Sequence, residues 1–317
     1  MITALDVSDL RFLASVNQIQ TTAEQAQEQI SSGLRLQSPS DDPADVSASI
    51  LTSAELGQTE QVQTNLGLVT SEVNSGEQAL EDATSVLQNV NTLGTQGLSG
   101  TQAPAQLSTL ASQVQASLEE LVGDANTSVE GRYVFSGDDY MVAPYSLDAT
   151  QPNGVSAYAG SAATRQIMDA NGSTFAISES GDEIFDNASP GASVFAAVNA
   201  LQVALANVPT VAQGDPAYNA QYTAQQTAIQ AAMTQVGTAQ AQLSGVLSFY
   251  GTVQDRLQSA TTTANQLQVT QQTDLSNVQD ADATQAALNL SMANTHLDAA
   301  MSARAERSNK TLFDYMA

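Results

Sequence analysis

The sequence predicts a mainly α fold: a long antiparallel helical coiled-coil rod formed by both termini, with a small antiparallel β domain inserted in the middle. Three observations predict it. Ile229, Ala232, Val236, Ala239, Leu243, Val246, Tyr250, Val253, Leu257, Ala260, Ala264 and Leu267 recur in steps of three and four, and so do Val62, Leu66, Val69, Val73, Gly76, Leu80, Ala83, Leu87 and Val90. Such spacing keeps one narrow apolar seam on each helix, and a seam of that kind needs a partner helix. No aromatic residue lies between Phe12 and Tyr133 or between Tyr250 and Phe313, so a thick core can form only in the middle. From Pro216 onward the chain has no proline, which suits very long helices.

Taken in order, residues 1–42 supply a first helix and a turn. Phe12, Val16, Ile19, Ala23, Ala26 and Ile30 follow heptad steps over 5–32, and Gly33 stands where a left-handed cap ends a helix. The cluster Ser38-Pro39-Ser40-Asp41-Asp42-Pro43 then makes a turn. Asp42 is placed to accept from free backbone donors of the next helix, Pro43 suits its first position, and Asp45 favours its positive end. Residues 43–130 form the N-terminal half of the rod: one helix to about Leu93, broken by Gly94, Gly97, Gly100 and Pro104, and a second over about 104–129 with Leu107, Leu110, Val114 and Leu121 on one face.

At Gly131 the period changes. Tyr133, Val134 and Phe135 are strand formers, and Gln166-Ile167-Met168 and Thr174-Phe175-Ala176-Ile177 flank Asn171-Gly172, a strong hairpin signal. Residues 131–190 are thus expected to be the β-rich domain. Helix returns near Ser193 with Phe195, Val198, Leu201 and Leu205, and 191–275 completes the rod after a loop bounded by Pro209 and Pro216. The heptad slips at Gln271–Leu275 and resumes over 276–317 with Ala283, Ala286, Leu290, Ala293, Leu297 and Ala300. Gly and Thr in these last segments predict marginal stability without a partner.

The chain carries 33 acidic and 8 basic residues, a formal charge of −25, and no cysteine among its 317 residues. An acidic surface of that size repels phosphate, so nucleic acid and anionic membrane are poor partners. The absence of cysteine excludes disulfides, thiolate metal sites and a cysteine nucleophile. The first residues lack a basic and then apolar leader, and no apolar run approaches the ~20 residues that span a bilayer.

Several segments carry a resemblance. "QISSGLRLQSPSDDPAD" (Gln29–Asp45) resembles the N-terminal signature of bacterial flagellins and their hook-associated relatives. "GRYVFSG" (Gly131–Gly137) is similar to that family's passage from helix into its outer domain, and "YAGSAATRQIMDANGSTFAISESGDEIF" (Tyr158–Phe185) to the β domain of its hook-filament junction branch. "DLSNVQDADATQAALNLS" (Asp274–Ser291) resembles the family's C-terminal motif, and "TLFDYMA" (Thr311–Ala317) the junction-branch ending. The proline of "SDDP" (Ser40–Pro43) and the Phe-Asp-Tyr ending point to that branch rather than to filament flagellin. One departure is the start, "MITALDV", which lacks the branch's basic second residue.

The resemblance implies a structural subunit, exported unfolded through the flagellar type III apparatus without a cleavable signal, and located in the extracellular flagellum. It implies a ring of identical subunits between hook and filament, with a neighbouring hook-associated protein, flagellin and an export chaperone as partners. It also implies terminal segments that order on assembly. Leu10, Phe12, Val16, Ile19, Ile30, Leu290, Leu297, Phe313 and Tyr315 are the expected assembly seam, packing between chains. Gly33, Ser40, Asp41, Asp42 and Pro43 are the expected helix-junction motif.

No constellation predicts catalysis, a cofactor or a metal. His296 is the only histidine and no His-Glu-x-x-His pattern occurs. Asp41, Asp42 and Asp45 lack the glycine and closing glutamate of a calcium loop, and capping accounts for them. Arg304, Arg307 and Lys310 form a small basic strip, read either as a favourable charge at a helix C-terminus or as a contact with an acidic neighbour or chaperone. Two other functions fit the same heptads: flagellin forming the filament itself, and a cytosolic coiled-coil scaffold or signalling protein.

Overall fold

The computed structural model describes residues 7–38, 41–99, 103–186, 193–211 and 214–308. The order is α1 (Val7–Ser32), α2 (Pro43–Gly97), α3 (Pro104–Ala125), β1 (Ser128–Val129), β2 (Arg132–Tyr133), β3 (Gln166–Met168), β4 (Thr174–Ala176), α4 (Gly181–Phe185), α5 (Val194–Ala206), α6 (Tyr218–Gln279) and α7 (Ala283–Ser308). The chain divides into two compact units, one of Met1–Thr59 with Gln266–Ala317 and one of Glu60–Asn265. Both α2 and α6 contribute residues to each.

In the unit of residues 60–265 the two predicted seams face each other within one chain. Leu66, Val73, Leu80, Ala83, Leu87 and Val90 are buried on α2, as are all the seam positions of α6 from Ile229 to Ala264. The helices run antiparallel: Gln63 Nε2 donates to Asn265 Oδ1 at 3.0 Å, and Gln254 Nε2 to Asn74 Oδ1 at 3.1 Å. At Gly76 an aromatic ring of α6 packs directly against the backbone of α2. A Cβ there would lie 2.9 Å from Tyr250 Cε1 and 3.0 Å from Val134 Cγ1, so glycine makes room for the buried tyrosine. Buried faces of α3 and α5 join the same core.

The middle is where the aromatic residues gather, as their distribution predicts. Phe135 and Phe185 meet edge to face at 5.5 Å between ring centroids, Phe185 stacks on Phe195 at 5.5 Å, and Tyr145 lies 4.8 Å from Phe195. Tyr250 of α6 reaches Phe135 at 6.5 Å, and Gln242 of α6 donates to the carbonyls of Glu183 and Ile184. A buried Glu72 on α2 pairs with Arg165 at 2.8 Å and Arg132 at 3.7 Å, while Arg256 of α6 covers the Phe175 ring at 4.4 Å. These contacts hold the middle segment onto the helix pair.

Regular β structure is sparser than the strand formers predict: two antiparallel two-stranded sheets, β1-β2 and β3-β4. The hairpin at Asn171-Gly172 forms, pairing Ile167 with Phe175, but its connection spans Asp169–Ser173. Asp169 Oδ1 accepts from the backbone of Asn171 and Ser173, both at 2.9 Å, and so sets a longer turn than Asn-Gly alone needs. The helix expected to reach 129 stops at Ala125, because Glu130 (φ 51°) and Gly131 (φ 78°) make a tight turn that pairs Val129 with Arg132. Turns dominate elsewhere. Gly137 (φ 61°) has no room for a side chain, since a Cβ would meet the Ser161 carbonyl oxygen at 2.1 Å.

One carboxylate on this unit titrates far from its ordinary range. Burial, with Asp82 and Glu120 nearby, pushes Asp124 up to about 6. The folded state therefore holds its proton more tightly than the unfolded chain, and the ionised form costs stability as pH rises from about 4 through 6. Asp124→Asn is expected to unfold at higher denaturant than the parent at pH 7 to 8, by about 1 kcal/mol once solvent screening of a half-exposed group is allowed for. Below about pH 4 the two proteins should unfold together.

Candidate assembly surface

The unit formed by residues 1–59 and 266–317 is built on α1 packed antiparallel to α7. Their seams meet: Ala26, Ala286 and Ala293 are buried, and Phe12, Val16, Ile19, Leu290 and Leu297 are half-buried. At the far end of the pair Arg304 ion-pairs with Asp9 and lies 5.5 Å above the Phe12 ring. The basic strip thus begins with an intramolecular contact. Phe313, Tyr315, Lys310 and the side chain of Arg307 lie outside the described residues, as does Ser40.

At the root of the pair two chain segments are sewn together. Gly33 adopts φ 74° and ends α1, its amide donating to Gln29 O at 2.9 Å. Leu34 bridges to Asp280, Arg35 N donates to Gln279 O at 2.7 Å, and Ala281 N donates to Gly33 O at 2.8 Å. The Arg35 guanidinium ion-pairs with Asp45 in the first turn of α2 and donates to Val278 O at 2.7 Å. Asp42 Oδ1 accepts from the amides of Ala44 and Asp45, capping α2 above Pro43. Asp41 accepts from the amides of Gln37 and Ser38, which holds its carboxyl below the usual range.

Two residues of the expected seam, Leu10 and Ile30, lie on the exposed side of the terminal pair. Leu10 is 52% and Ile30 43% exposed, so neither is enclosed by α7. Leu10 falls on the helix face opposite Phe12, Val16 and Ile19, and Ile30 lies near the end of the helix beside the turn. Phe12, Val16, Ile19, Leu290 and Leu297 lie on the faces where α1 and α7 pack together within one chain. A surface remains for other molecules: Val7, Leu10, Leu13 and Ile30 on α1, and Leu288, Met292 and Met301 on α7, are all exposed.

The same unit has a thin interior. Its buried apolar side chains among the described residues are Ala26, Leu36, Ala286 and Ala293, whereas the contiguous core runs entirely through residues of the other unit. Small side chains bury little area, and apolar stabilisation follows area. Chemically the surface offers apolar contact and charge. His296 is exposed, no group of three or more metal-ligating side chains occurs among the described residues, and no described helix is long and apolar enough to cross a membrane. Two features escaped the sequence reading, the Arg35 clamp and the Glu72 ion pairs. The available signal was the rarity of arginine in so acidic a chain, which makes each one expensive to leave idle.

Comparison with known proteins adds to this geometry. Residues 6–139 match the family model described as the bacterial flagellin N-terminal helical region, and residues 226–316 match the bacterial flagellin C-terminal helical region. The chain is similar to flagellar hook-associated protein 3 of Escherichia coli, 31% identical over 161 residues covering 50% of this chain and 49% of that protein. It is likewise similar to flagellar hook-associated protein 3 of Salmonella typhimurium, 29% identical over 161 residues, with the same 50% and 49% coverage. The chain therefore spans about half the length of the curated relatives it matches. Its fold is shared with flagellar hook associated protein-3 from Legionella pneumophila, at TM-score 0.61, 16% identity and coverage of 72% of this chain and 98% of that one. FlgL of Xanthomonas campestris gives TM-score 0.59 at 16% identity, covering 71% of this chain and 98% of that one.

Proposed function

The chain belongs to the bacterial flagellin family, and on that premise we propose that it is a structural subunit of the flagellum that joins hook to filament. The observation that carries this reading is the contrast between the two units. One has a continuous apolar core, and the other pairs α1 with α7 over small residues while leaving Leu10, Leu13, Leu288 and Met292 exposed. A subunit built this way gains stability when its terminal unit is covered by neighbours. Similarity to hook-associated protein 3 supports the junction as the place.

In this reading residues 1–42 and 276–317 are the assembly segments, 43–130 and 191–275 the two halves of the supporting helices, and 131–190 the outer domain. Leu10 and Ile30 meet neighbouring copies, while Phe12, Val16, Ile19, Leu290 and Leu297 hold the terminal pair in shape for them. Gly33, Asp41, Asp42 and Pro43 fix the junction that carries it. The subunits form a ring, flanked by another hook-associated protein and by flagellin, after export with a chaperone. The role involves no catalysis and no cofactor.

Stoichiometry tests it. A junction ring has a fixed number of copies per flagellum, whereas a filament protein scales with filament length. Quantitative mass spectrometry of flagella with sheared and unsheared filaments is expected to give a constant amount of this chain per hook. An amount that falls in proportion to filament length would make it the filament protein instead.

A further inference from the structure

We infer that Arg11 is a copy-to-copy contact residue, seated in a notch at the opposite end of α1 in the neighbouring copy. This rests on the assembly reading above and names the contact that it uses.

Arginine is scarce here, and the other arginines with described side chains are engaged. Arg35 pairs with Asp45, Arg132 and Arg165 with Glu72, Arg304 with Asp9, and Arg256 lies over Phe175. Among the described residues Arg11 is the arginine with no ion pair, hydrogen bond or ring beneath it, and it is exposed. It stands beside Val7 and Leu10, which are 61% and 52% exposed, on the side of α1 turned away from α7. Arginine beside exposed apolar side chains is the composition that interface contacts favour.

The opposite end of α1 offers the complement. Gln25, Glu28, Gln29, Arg35, Gln37 and Asp41 line a notch of about 160 Å³, large enough for a guanidinium group. Arg35 is paired with Asp45 and the Asp41 carboxylate is taken up by Gln37 and Ser38. Among the described residues this leaves Glu28 as the lining carboxylate without an ion pair, beside the side-chain amides of Gln25, Gln29 and Gln37. Carboxylate and amide oxygens are the natural acceptors of a guanidinium fork. The notch lies too far along the helix for Arg11 of the same chain: at ~1.5 Å per residue, Arg11 and Glu28 are separated by roughly 25 Å.

A second copy is the occupant that the charge favours. Each chain carries −25, so copies brought together repel unless a cation is placed where acids meet. Asp9 is paired with Arg304, which leaves Arg11 as the uncompensated charge of the N-terminal half of α1, while Glu24 and Glu28 make its C-terminal half acidic, so the helix complements itself head to tail. Head-to-tail contacts of that type close into a ring when the rotation between copies closes, as the proposed junction ring requires.

The test uses the full-length chain, expressed in place of its native copy, and isolated flagella. The protein has no cysteine of its own, so Arg11→Cys with Glu28→Cys in one chain gives a clean probe. An arginine reaching a glutamate sets the two Cα atoms beyond the ~7 Å that a disulfide tolerates but within the span of a short bismaleimide, which cannot bridge the roughly 25 Å between these positions in one chain. Treatment with the bismaleimide is expected to yield dimers and higher multiples on denaturing gels, with each single-cysteine variant monomeric. Independently, Arg11→Glu is expected to lower recovery of the chain with flagella about tenfold or more, and Arg11→Glu with Glu28→Arg to restore it to within about twofold. Unaltered recovery of Arg11→Glu, or a double-cysteine chain that reaches flagella and stays monomeric, overturns the contact and leaves the flagellar reading standing. Absence of the wild-type chain from flagella overturns that reading and the contact with it.

Discussion

Replacing Leu290 and Leu297 together by Asp is expected to abolish incorporation into the flagellum while leaving the larger unit folded. Both leucines are half-buried on the face of α7 that packs on α1. Exchanging a half-buried leucine for a carboxylate forfeits apolar burial and desolvates a charge, about 2 kcal/mol or more at each site. The terminal unit has little with which to offset that, since its described buried apolar side chains are Ala26, Leu36, Ala286 and Ala293. The contiguous core, by contrast, contains neither leucine and lies wholly within residues 60–265. Circular dichroism of the purified variant should show a loss of helix confined to α1 and α7 with an unchanged main transition, and isolated flagella should lack the variant. Normal incorporation would remove the α1–α7 seam from the assembly mechanism.

Phe185→Ala is expected to act in the opposite way, by destabilising the larger unit. The ring is fully buried and touches Phe135, Tyr145 and Phe195, with centroids at 5.5, 6.2 and 5.5 Å. Deleting a phenyl ring from a packed core typically costs 3–5 kcal/mol, about 4 kcal/mol here, because the cavity collapses only in part. A main thermal transition lowered by roughly 10 °C is the expected readout. A change of less than about 1 kcal/mol would mean that the cluster does not hold the middle segment to α2 and α6.

The helical parts of this fold were legible in the sequence because their signals are long and local. Every seam position from Leu66 to Val90 and from Ile229 to Ala264 is buried, since a three-four step fixes which side of a helix meets its partner. The caps were equally legible: Asp42 accepts the amides it was placed for, and Gly33 is left-handed. The middle was less so. Its short strands are held by turns, by Asn126 clasping the Tyr145 backbone and by Tyr158 donating to Phe135 O, and such contacts leave no period behind. At the site, the packing of the two terminal helices on each other was legible, but a heptad shows which face is apolar and not which residues meet a second chain. The Arg35 clamp reaches Asp45 ten residues on and Val278 in the distant C-terminal region, and the latter partner lies beyond any window of neighbouring residues.

The central claim is that this chain sits where hook meets filament, and immunogold labelling of intact flagella tests it most directly. An antibody raised against residues 131–190, the proposed outer domain, is expected to give a single narrow band at the hook-filament boundary. Label along the whole filament would contradict the junction role and make the chain a filament subunit, and label found only inside lysed cells would contradict its place in the flagellum altogether.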